Sequence, residues 1–364
     1  MRESLIIRHM IKGHGGNLHD IAKRFGVNAE RMLDFSASIN PFIGDVKRGK
    51  WIRDGADKIR LYPDPEYNEL RAVISKHYGP PAENVLVGNG STELLYMVPR
   101  ALECKNALIV TPSYADYEDA CRMAAMKIKR YYLKPANGFT LDAAEFAEKV
   151  KGCKLAVIGN PNNPTGSIIR REALLKIVDA SPGTMFLIDE SFMDFVRDET
   201  LLNTLRDNLV VVRSFTKFYA SPGLRFGFAA ARGRIIKKLV KFKEPWSVNC
   251  IAENYVIDIL NGGFDTQRII DKNNEERLYL FNKLPSVANL TTYPSAANFL
   301  LSRIGPGKWD APKLQAALIE KGILIRDCSN FMGLDRYFFR VAVRKRRENA
   351  LLIKNIKKCL SDCR

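Results

Sequence analysis

The chain has 364 residues, of which 46% are hydrophobic, and it carries a formal net charge of +17. This length and apolar content predict two domains with sizeable cores and exclude a disordered or low-complexity chain. The chain has no apolar run near the ~20 residues of a membrane span, and its N-terminus lacks the apolar core of a signal peptide. We therefore expect a soluble cytoplasmic protein without a membrane partner.

Charge and cysteine content narrow the classes of partner. The densest basic run, at residues 344–347, lies in a segment with helical spacing of apolar residues, which favours a solvated helix face. No basic run is interleaved with stacking aromatic residues, so we expect no nucleic-acid partner. An anionic substrate and a general surface bias both remain explanations of the charge. The seven cysteines are scattered without a CxxC pair, which predicts free thiols and no metal site.

Short continuous apolar runs alternate with helical patterns through the middle of the chain. Predicted strands lie at residues 85–87, 107–110, 155–158, 185–188 and 209–212. Helical stretches separate most of them, for example at residues 171–180. Continuous apolar runs are typical of strands buried on both faces, so the pattern predicts an α/β fold with a mostly parallel sheet.

The C-terminal part has a different pattern. The predicted elements are a polar helix at 266–283, a strand at 297–301, a helix near 312–321, strands at 323–325 and 337–343, and a last helix. This order indicates a smaller α+β domain. The predicted organisation is an arm that packs with the small domain and the substrate site, a large α/β domain and a small α+β domain, at residues 1–47, 48–262 and 263–364.

Polar motifs follow the predicted strands. Gly88-Asn89-Gly90-Ser91-Thr92-Glu93 comes after the first strand and opens a helix, whose N-terminal N–H groups suit a phosphate. The motif lacks the Gly-Lys-Ser/Thr ending of a Walker A loop, and it is weak by itself. Tyr114 follows the next strand and is suited to stack on a planar ring, although a core or surface tyrosine explains it equally well.

Two further motifs carry an amide and an acid. Residues 160–166 read Asn-Pro-Asn-Asn-Pro-Thr-Gly, a rigid turn in which an Asn amide can bond a cofactor oxygen. Asp189 ends the apolar run at 185–188, and a buried aspartate needs a cationic or hydrogen-bonding partner. The pyridinium nitrogen of pyridoxal phosphate would be such a partner. A helix-capping aspartate is the alternative.

The strongest single motif is the segment 214–227, which directly follows the strand at 209–212. Lys217 stands there between hydroxyl residues, and burial beside other cations favours the neutral amine that covalent catalysis requires. The hydroxyls of Ser214 and Thr216, together with Arg225, are suited to hold a phosphate. An ordinary loop lysine is the alternative. Because the carboxyl ends of parallel strands converge on one crevice, all five motifs together predict a single cofactor site.

With these motifs, the chain from about His14 to Arg344 resembles fold-type-I pyridoxal-phosphate enzymes of the aspartate-aminotransferase superfamily. The resemblance implies that Lys217 bonds covalently to the cofactor, Asp189 pairs with its ring nitrogen, Asn163 bonds its phenolic oxygen and Tyr114 stacks on its ring. It implies a phosphate cup made of Gly90, Ser91, Thr92, Ser214, Thr216 and Arg225. It also implies a homodimer in which Tyr62 reaches the phosphate of the neighbouring subunit.

Within this superfamily, residues 14–17, 33–41, 243–249 and 323–328 are similar to threonine-phosphate decarboxylases of cobalamin synthesis. The similarity implies a small phosphorylated amino acid as substrate: threonine phosphate, with serine phosphate as an additional or alternative substrate. The implied substrate-binding residues are His14, Ser38, Asn40, Asn163, Arg326 and Arg340. Ser38 departs from the Asn that these enzymes typically carry. Which arginine holds the carboxylate and which the phosphate stays open.

Two alternatives differ in reaction or in class. Histidinol-phosphate aminotransferases share the fold, the cofactor and phosphorylated substrates, but they usually have tyrosine where this chain has Phe192. A non-catalytic binding protein that retains the fold is a more distant alternative. The simultaneous presence of Lys217 and Asp189 disfavours it.

Overall fold

A computed structural model of the chain describes residues 15–43, 50–262 and 265–361. Its helices are α1 Leu18–Phe25, α2 Lys50–Asp57, α3 Asn68–Tyr78, α4 Gly90–Ala101, α5 Asp116–Met123, α6 Ala143–Lys149, α7 Arg171–Asp179, α8 Gly233–Val240, α9 Cys250–Asn261, α10 Thr266–Lys283, α11 Ala311–Ile319 and α12 Arg346–Ser361. Its strands are β1 Leu33–Asp34, β2 Val85–Gly88, β3 Asn106–Thr111, β4 Lys127–Tyr132, β5 Leu155–Gly159, β6 Met185–Asp189, β7 Leu209–Ser214, β8 Gly227–Ala231, β9 Leu290–Thr292, β10 Phe299–Ile304, β11 Ile323–Leu324, β12 Arg326–Asp327 and β13 Phe338–Ala342.

A large sheet forms the centre of the molecule. Within the described residues it has seven strands in the order β2-β8-β7-β6-β5-β3-β4. Strands β3 to β7 run parallel to one another, whereas β8 is antiparallel to both of its neighbours. The predicted α/β fold with a mostly parallel sheet is therefore confirmed. The parallel order brings the carboxyl ends of β3, β5, β6 and β7 to the same edge.

Two strands of this sheet were not predicted from sequence. Strand β8 reads Gly-Phe-Ala-Ala-Ala, and alanine and glycine are depleted in strands, so its local pattern is weak. It is nevertheless buried along its whole length between β2 and β7. Strand β4 carries Lys127, Lys129 and Arg130, a polar pattern that is typical of a protected sheet edge.

The C-terminal part forms a small sheet in the order β12-β13-β10-β9. The arm reaches this region, because β1 pairs in parallel with β11 and the backbone N–H of Ala342 donates to the carbonyl of Phe35 at 2.8 Å. Helix α10 starts at a side-chain cap in which Asp265 accepts from the N–H of Arg268 at 2.9 Å. The predicted order of helices and strands in this part agrees with the structure, except that β9 Leu290–Thr292 was not predicted.

Three buried clusters make up most of the core. One lies on each face of the large sheet, and a third packs the small sheet against α10, α11 and α12 and includes Phe35 of the arm. The first cluster also extends to Phe299 and Leu301 of β10, so the two sheets are in apolar contact. The predicted domain boundaries at residues 47 and 262 stay a prediction, which the separate core of the small sheet supports.

Two observations concern membranes and metals. In the ranges that the structure describes, no helix combines the length and the apolar character needed to cross a membrane. In the same ranges, no three His, Cys, Asp or Glu side chains come together in a way that would hold a metal ion.

Candidate active site

Two adjoining cavities lie at the carboxyl ends of the parallel strands. The inner cavity has a volume of about 160 Å³ and the outer one about 680 Å³. Both are lined by Tyr114, Asn163, Phe192 and Lys217. Most of the predicted cofactor residues line the inner cavity, namely Ser91, Thr92, Tyr114, Asn163, Asp189, Ser214, Thr216 and Arg225. Four of the predicted substrate residues line the outer cavity, namely Ser38, Asn163, Arg326 and Arg340.

Lys217 lies where the two cavities meet. Its Nζ is 5.9 Å from the centroid of the Phe192 ring. Burial, with the nearby charges of Arg340 and Arg225, lowers the pKa of Lys217 to about 8, while Asp189 acts in the opposite direction. The amine is therefore close to the balance between charged and neutral forms near neutral pH, as a lysine nucleophile requires.

Asp189 ends β6 and is held by three hydrogen bonds. The hydroxyl of Tyr117 donates to Oδ2 at 2.7 Å, and the backbone N–H and hydroxyl of Ser191 donate to Oδ1 at 2.9 and 2.5 Å. Burial raises the pKa of the Asp189 carboxyl, and these hydrogen bonds lower it. A protonated ring nitrogen in the inner cavity would stabilise the carboxylate further. Sequence reasoning missed Tyr117 and Ser191, because neither stands at a strand end or in a distinctive motif.

The phosphate cup is built from the first turn of α4, the end of β7 and Arg225. The turn lies directly on the sheet, since a Cβ at Gly227 would stand 2.5 Å from the backbone nitrogen of Ser91. A Cβ at Gly90, whose φ is +79°, would stand 2.5 Å from a guanidinium nitrogen of Arg225. Glycine at both positions thus lets a helix N-terminus, hydroxyls and a cation converge, which suits a phosphate dianion.

Two of the three arginines that line the outer cavity, Arg340 and Arg326, were predicted to bind substrate, and their surroundings differ. Arg340 donates to the side-chain oxygen of Asn163 and, at 2.8 Å, to the carbonyl of Ser36, and it lies 4.9 Å from the Phe299 ring. Burial lowers the pKa of its guanidinium to about 10. Its Nε is buried and has no hydrogen-bond partner among the described residues. A buried guanidinium with an unused donor is suited to bind an anion.

Arg326 is held farther along the wall of the outer cavity. It donates to the carbonyl of Asp327 at 2.6 Å and to the side chain of Asn330 at 2.8 Å, and it lies 5.1 Å from the Phe331 ring. Asn330 and Phe331 also line the cavity, and the sequence contained no signal for either. Of the three guanidinium groups at the outer cavity, one thus lies beside Asn163 and one beside Asn330, whereas that of Arg122 is paired with Glu118 and Asp119.

The remaining predicted residues are placed in different ways. Ser38 is buried in the wall of the outer cavity, and its hydroxyl has no hydrogen-bond partner among the described residues. Asn40 lines neither cavity. Its side-chain amide donates to the backbone carbonyl of Phe218 at 2.8 Å, and its backbone N–H donates to the backbone carbonyl of Lys217 at 3.0 Å. Tyr62 is 81% exposed and away from both cavities. His14 lies outside the described residues.

Comparison with known proteins gives a family and several similar chains. Residues 32–356 match the model of the aminotransferase class I and II family. Threonine-phosphate decarboxylase of Salmonella typhimurium is 35% identical over 354 residues, which cover 96% of each chain.

Two solved structures are similar as well. The crystal structure of L-threonine-O-3-phosphate decarboxylase from Porphyromonas gingivalis is 30% identical, with a TM-score of 0.79 over 90% of this chain and 99% of that one. The histidinol-phosphate aminotransferase from Clostridium acetobutylicum is 27% identical, with a TM-score of 0.84 over 91% and 100%. These matches confirm the fold that the sequence motifs had indicated. The similarity in fold extends to enzymes of both reaction types, so the fold alone does not discriminate between them.

We expect Lys217 in the cofactor-free protein to react with acetic anhydride with a pH midpoint of about 8 instead of its ordinary 10.5, because burial and Arg340 disfavour its charged form. Competitive labelling across a pH series, read by mass spectrometry of the Lys217 peptide, measures this midpoint. Between about pH 8 and pH 10.5, Lys217 is protonated in the unfolded chain but largely neutral in the folded one. Its contribution to the free energy of unfolding therefore increases as the pH rises through this window.

Arg340→Gln tests the cause of this shift. Removing the guanidinium should raise the midpoint toward 10.5. Arg344→Gln is the control, because Arg344 is not among the charges that act on Lys217. A midpoint that stays the same in Arg340→Gln would contradict the electrostatic explanation.

Proposed function

Because the chain belongs to the aminotransferase class I and II family, we propose that it is a pyridoxal-phosphate-dependent carboxy-lyase. It converts L-threonine O-3-phosphate to (R)-1-amino-2-propanol O-2-phosphate, a building block of the cobalamin nucleotide loop. The observation that carries this proposal is the pair of adjoining cavities. The inner one unites Lys217, Asp189 and a phosphate cup, and the outer one presents Arg326 and Arg340 to a substrate with two anionic groups.

The donor set of the inner cavity fits pyridoxal phosphate. Lys217 would bond its aldehyde carbon, Asp189 its ring nitrogen, Asn163 its phenolic oxygen, and Tyr114 would stack on its ring. When bound, this cofactor supplies an electron sink for the electron pair that remains on the substrate Cα when a bond there breaks. The hydrogen bonds of Tyr117 and Ser191 keep Asp189 oriented toward that ring nitrogen.

With the cofactor bound, Arg340 and Arg326 would select which bond to Cα breaks, because they would fix the orientation of the substrate. We assign the carboxylate to Arg340, which contacts Asn163 and acts on the pKa of Lys217, and the phosphate to Arg326, which contacts Asn330 instead. The planar fork of arginine suits both anions. Selecting the bond to the carboxylate would then be a matter of substrate orientation, without additional catalytic groups.

The chain must also return one proton to Cα. Cleavage of the bond between Cα and the carboxylate releases carbon dioxide and leaves the electron pair on the substrate. Lys217 lies between the two cavities, and a pKa of about 8 allows its amine to carry a proton and to give it up near neutral pH. Its Nζ is therefore the proton donor in this proposal.

Histidinol-phosphate aminotransferase is the alternative function. It is less supported, since the threonine-phosphate decarboxylases reach 35% and 30% identity and the aminotransferase structure 27%. A non-catalytic protein with the same fold is a distant alternative, because the inner cavity retains both Lys217 and Asp189. The cytoplasmic location also remains a prediction.

We expect the protein loaded with pyridoxal phosphate to release carbon dioxide from threonine phosphate, and Lys217→Ala to abolish the release. Serine phosphate lacks one methyl group, which is worth roughly 1–3 kcal/mol in a pocket, so it should react about 10–200-fold less efficiently. Manometric or coupled assays of carbon dioxide give both values. Ser38→Asn restores the residue of the similar enzymes and should change the preference between the two substrates.

The same protein should not form glutamate, or an aminated product, from 2-oxoglutarate and histidinol phosphate. Glutamate formation without carbon dioxide release would contradict the decarboxylase and establish the aminotransferase. The absence of both reactions, together with the absence of visible cofactor absorption, would support the non-catalytic alternative.

Arg340→Gln and Arg326→Gln should affect different kinetic constants. Loss of the carboxylate contact at Arg340 should lower kcat by about 100-fold, because orientation at the reacting bond is lost. Loss of the phosphate contact at Arg326 should mainly raise KM, by about tenfold or more. Steady-state kinetics separate the two, with Arg303→Gln on β10 as a control outside the cavity walls. The reverse pattern would reverse the assignment.

The dimer is part of the same proposal. Tyr62 is 81% exposed, neighbours the exposed Leu61 and lies 4.8 Å from the ring of Trp246. Exposed apolar groups of this size mark an interaction surface, and a second copy of the chain would cover them. We assign Tyr62 to the cofactor phosphate of the neighbouring subunit.

Hybrid dimers of Lys217→Ala and Tyr62→Ala chains test this assignment. If Tyr62 acts across the interface, the hybrid contains one site with both groups intact and regains activity that neither parent dimer has. If Tyr62 acts within its own chain, each site of the hybrid lacks one group and mixing restores nothing. Sedimentation of each parent checks that both still form dimers.

A further inference from the structure

A cluster of buried charges lies on the side of β6 and β7 that faces away from the inner cavity. It consists of Glu190, Asp194 and Arg213, each at most 1% exposed, and it reaches the surface at Arg197. Arg213 lies 3.0 Å from a carboxylate oxygen of Glu190 and 3.1 Å from one of Asp194. Arg197 lies 3.7 Å from Asp194, so two cations and two acids balance in charge.

Hydrogen bonds join Glu190 and Arg213 to neighbouring residues. Glu190 accepts from the backbone N–H of Leu201 and from the hydroxyl of Thr200, both at 2.7 Å. Arg213 donates to the same hydroxyl at 2.9 Å. Because burial of an ion pair often stabilises less than apolar packing, stability alone does not account for these charges. Their positions in the chain suggest another role.

Glu190 and Arg213 are each the immediate neighbour of a residue of the inner cavity. Asp189 precedes Glu190, and Ser214 follows Arg213. Side chains alternate between the faces of a sheet, so Asp189 and Ser214 face the inner cavity while Glu190 and Arg213 meet on the opposite face. The backbones of β6 and β7 are also hydrogen-bonded at this point, since the N–H of Glu190 donates to the carbonyl of Val212 at 2.8 Å.

The cluster also reaches the segment that carries Lys217. Tyr219, two residues farther on, shares a hydrogen bond of 2.9 Å with Tyr78 and accepts one from Arg197 at 3.2 Å. The hydroxyl of Tyr78 donates to Asp194 at 3.2 Å. The Tyr219 ring stacks on that of Phe215 at 4.4 Å, directly after Ser214. One network therefore contacts the ends of β6 and β7 and the Lys217 segment.

We propose that Glu190 and Arg213 are positioning residues that hold Asp189, Ser214 and Lys217 at the spacing of one cofactor molecule. The two side chains contact no part of the cavity and act only through the backbone segments that they join. The inference rests on the proposed cofactor but not on the proposed substrate or reaction.

Glu190→Gln is the test, with Glu276→Gln as its matched control. Glu276 is also a buried acid that accepts from an arginine and an asparagine, at 2.8 and 2.9 Å, but it lies on α10, away from the cavities. The dissociation constant of pyridoxal phosphate should rise at least about tenfold in Glu190→Gln, as for outer-shell partners at metal sites, and stay the same in Glu276→Gln. The visible absorption maximum and the phosphorus NMR signal of the bound cofactor should shift only in Glu190→Gln.

A double variant separates positioning from stability. Glu190→Gln with Arg213→Met leaves Asp194 paired with Arg197, so the charge balance is kept and the melting temperature should recover toward that of the wild type. The cofactor should still bind at least about tenfold more weakly, because the link between the two strands is gone. Recovery of affinity together with the melting temperature would overturn the proposal. So would equal weakening in Glu276→Gln.

Tyr219→Phe provides a milder change if Glu190→Gln does not fold. It removes only the hydroxyl that joins the Lys217 segment to the cluster, and it should shift the same two spectroscopic signals. Unchanged signals would count against the proposal. Normal cofactor binding without carbon dioxide release would refute the proposed reaction and leave this inference intact, whereas a wild-type protein that binds no cofactor would refute both.

Discussion

The site depends on keeping one lysine amine near neutrality among charges of both signs. Burial disfavours the protonated form of Lys217 most, Arg340 and Arg225 add to this effect, and Asp189 and Asp34 oppose it. None of these charges is adjacent to Lys217 in the sequence. The fold must therefore bring together a strand end, a loop, the arm and the small sheet before the amine acquires its reactivity. This requirement explains why so many separate segments meet at the two cavities.

The main features of the fold could be predicted because their signals are local. Buried parallel strands are continuous apolar runs, and polar motifs at their ends indicated Lys217, Asp189 and Asn163. Strand β8 was missed because alanine has a low strand propensity, and its strand conformation depends on pairing with β2 and β7. Strand β4 was missed because its residues at the exposed sheet edge are polar. Tyr117 was missed because its contact with Asp189 joins residues far apart in the chain, and Ser191 and Asn330 because a short-range hydrogen bond to a predicted residue leaves no distinctive motif. Asn40 was placed with the substrate from resemblance, yet its side chain holds the backbone of Phe218.

The two faces of the large sheet have different chemistry at β6 and β7. The face toward the cavities presents Asp189 and Ser214, and the opposite face presents Glu190 and Arg213. Alternation along a strand allows adjacent residues to serve these two purposes. A family resemblance identifies the first set, because it implies that these residues contact the cofactor. Only the packing beneath the sheet reveals the second.

The arm joins the two sheets over a short length of chain. Leu33 and Asp34 pair with β11, the carbonyl of Ser36 accepts from Arg340, and Asn40 binds the backbone at Lys217 and Phe218. A displacement of the small sheet would therefore act on the Arg340 guanidinium and on the backbone at Lys217 at the same time. Under the proposed function, the arm would couple the binding of substrate at Arg340 to the placement of the Lys217 amine.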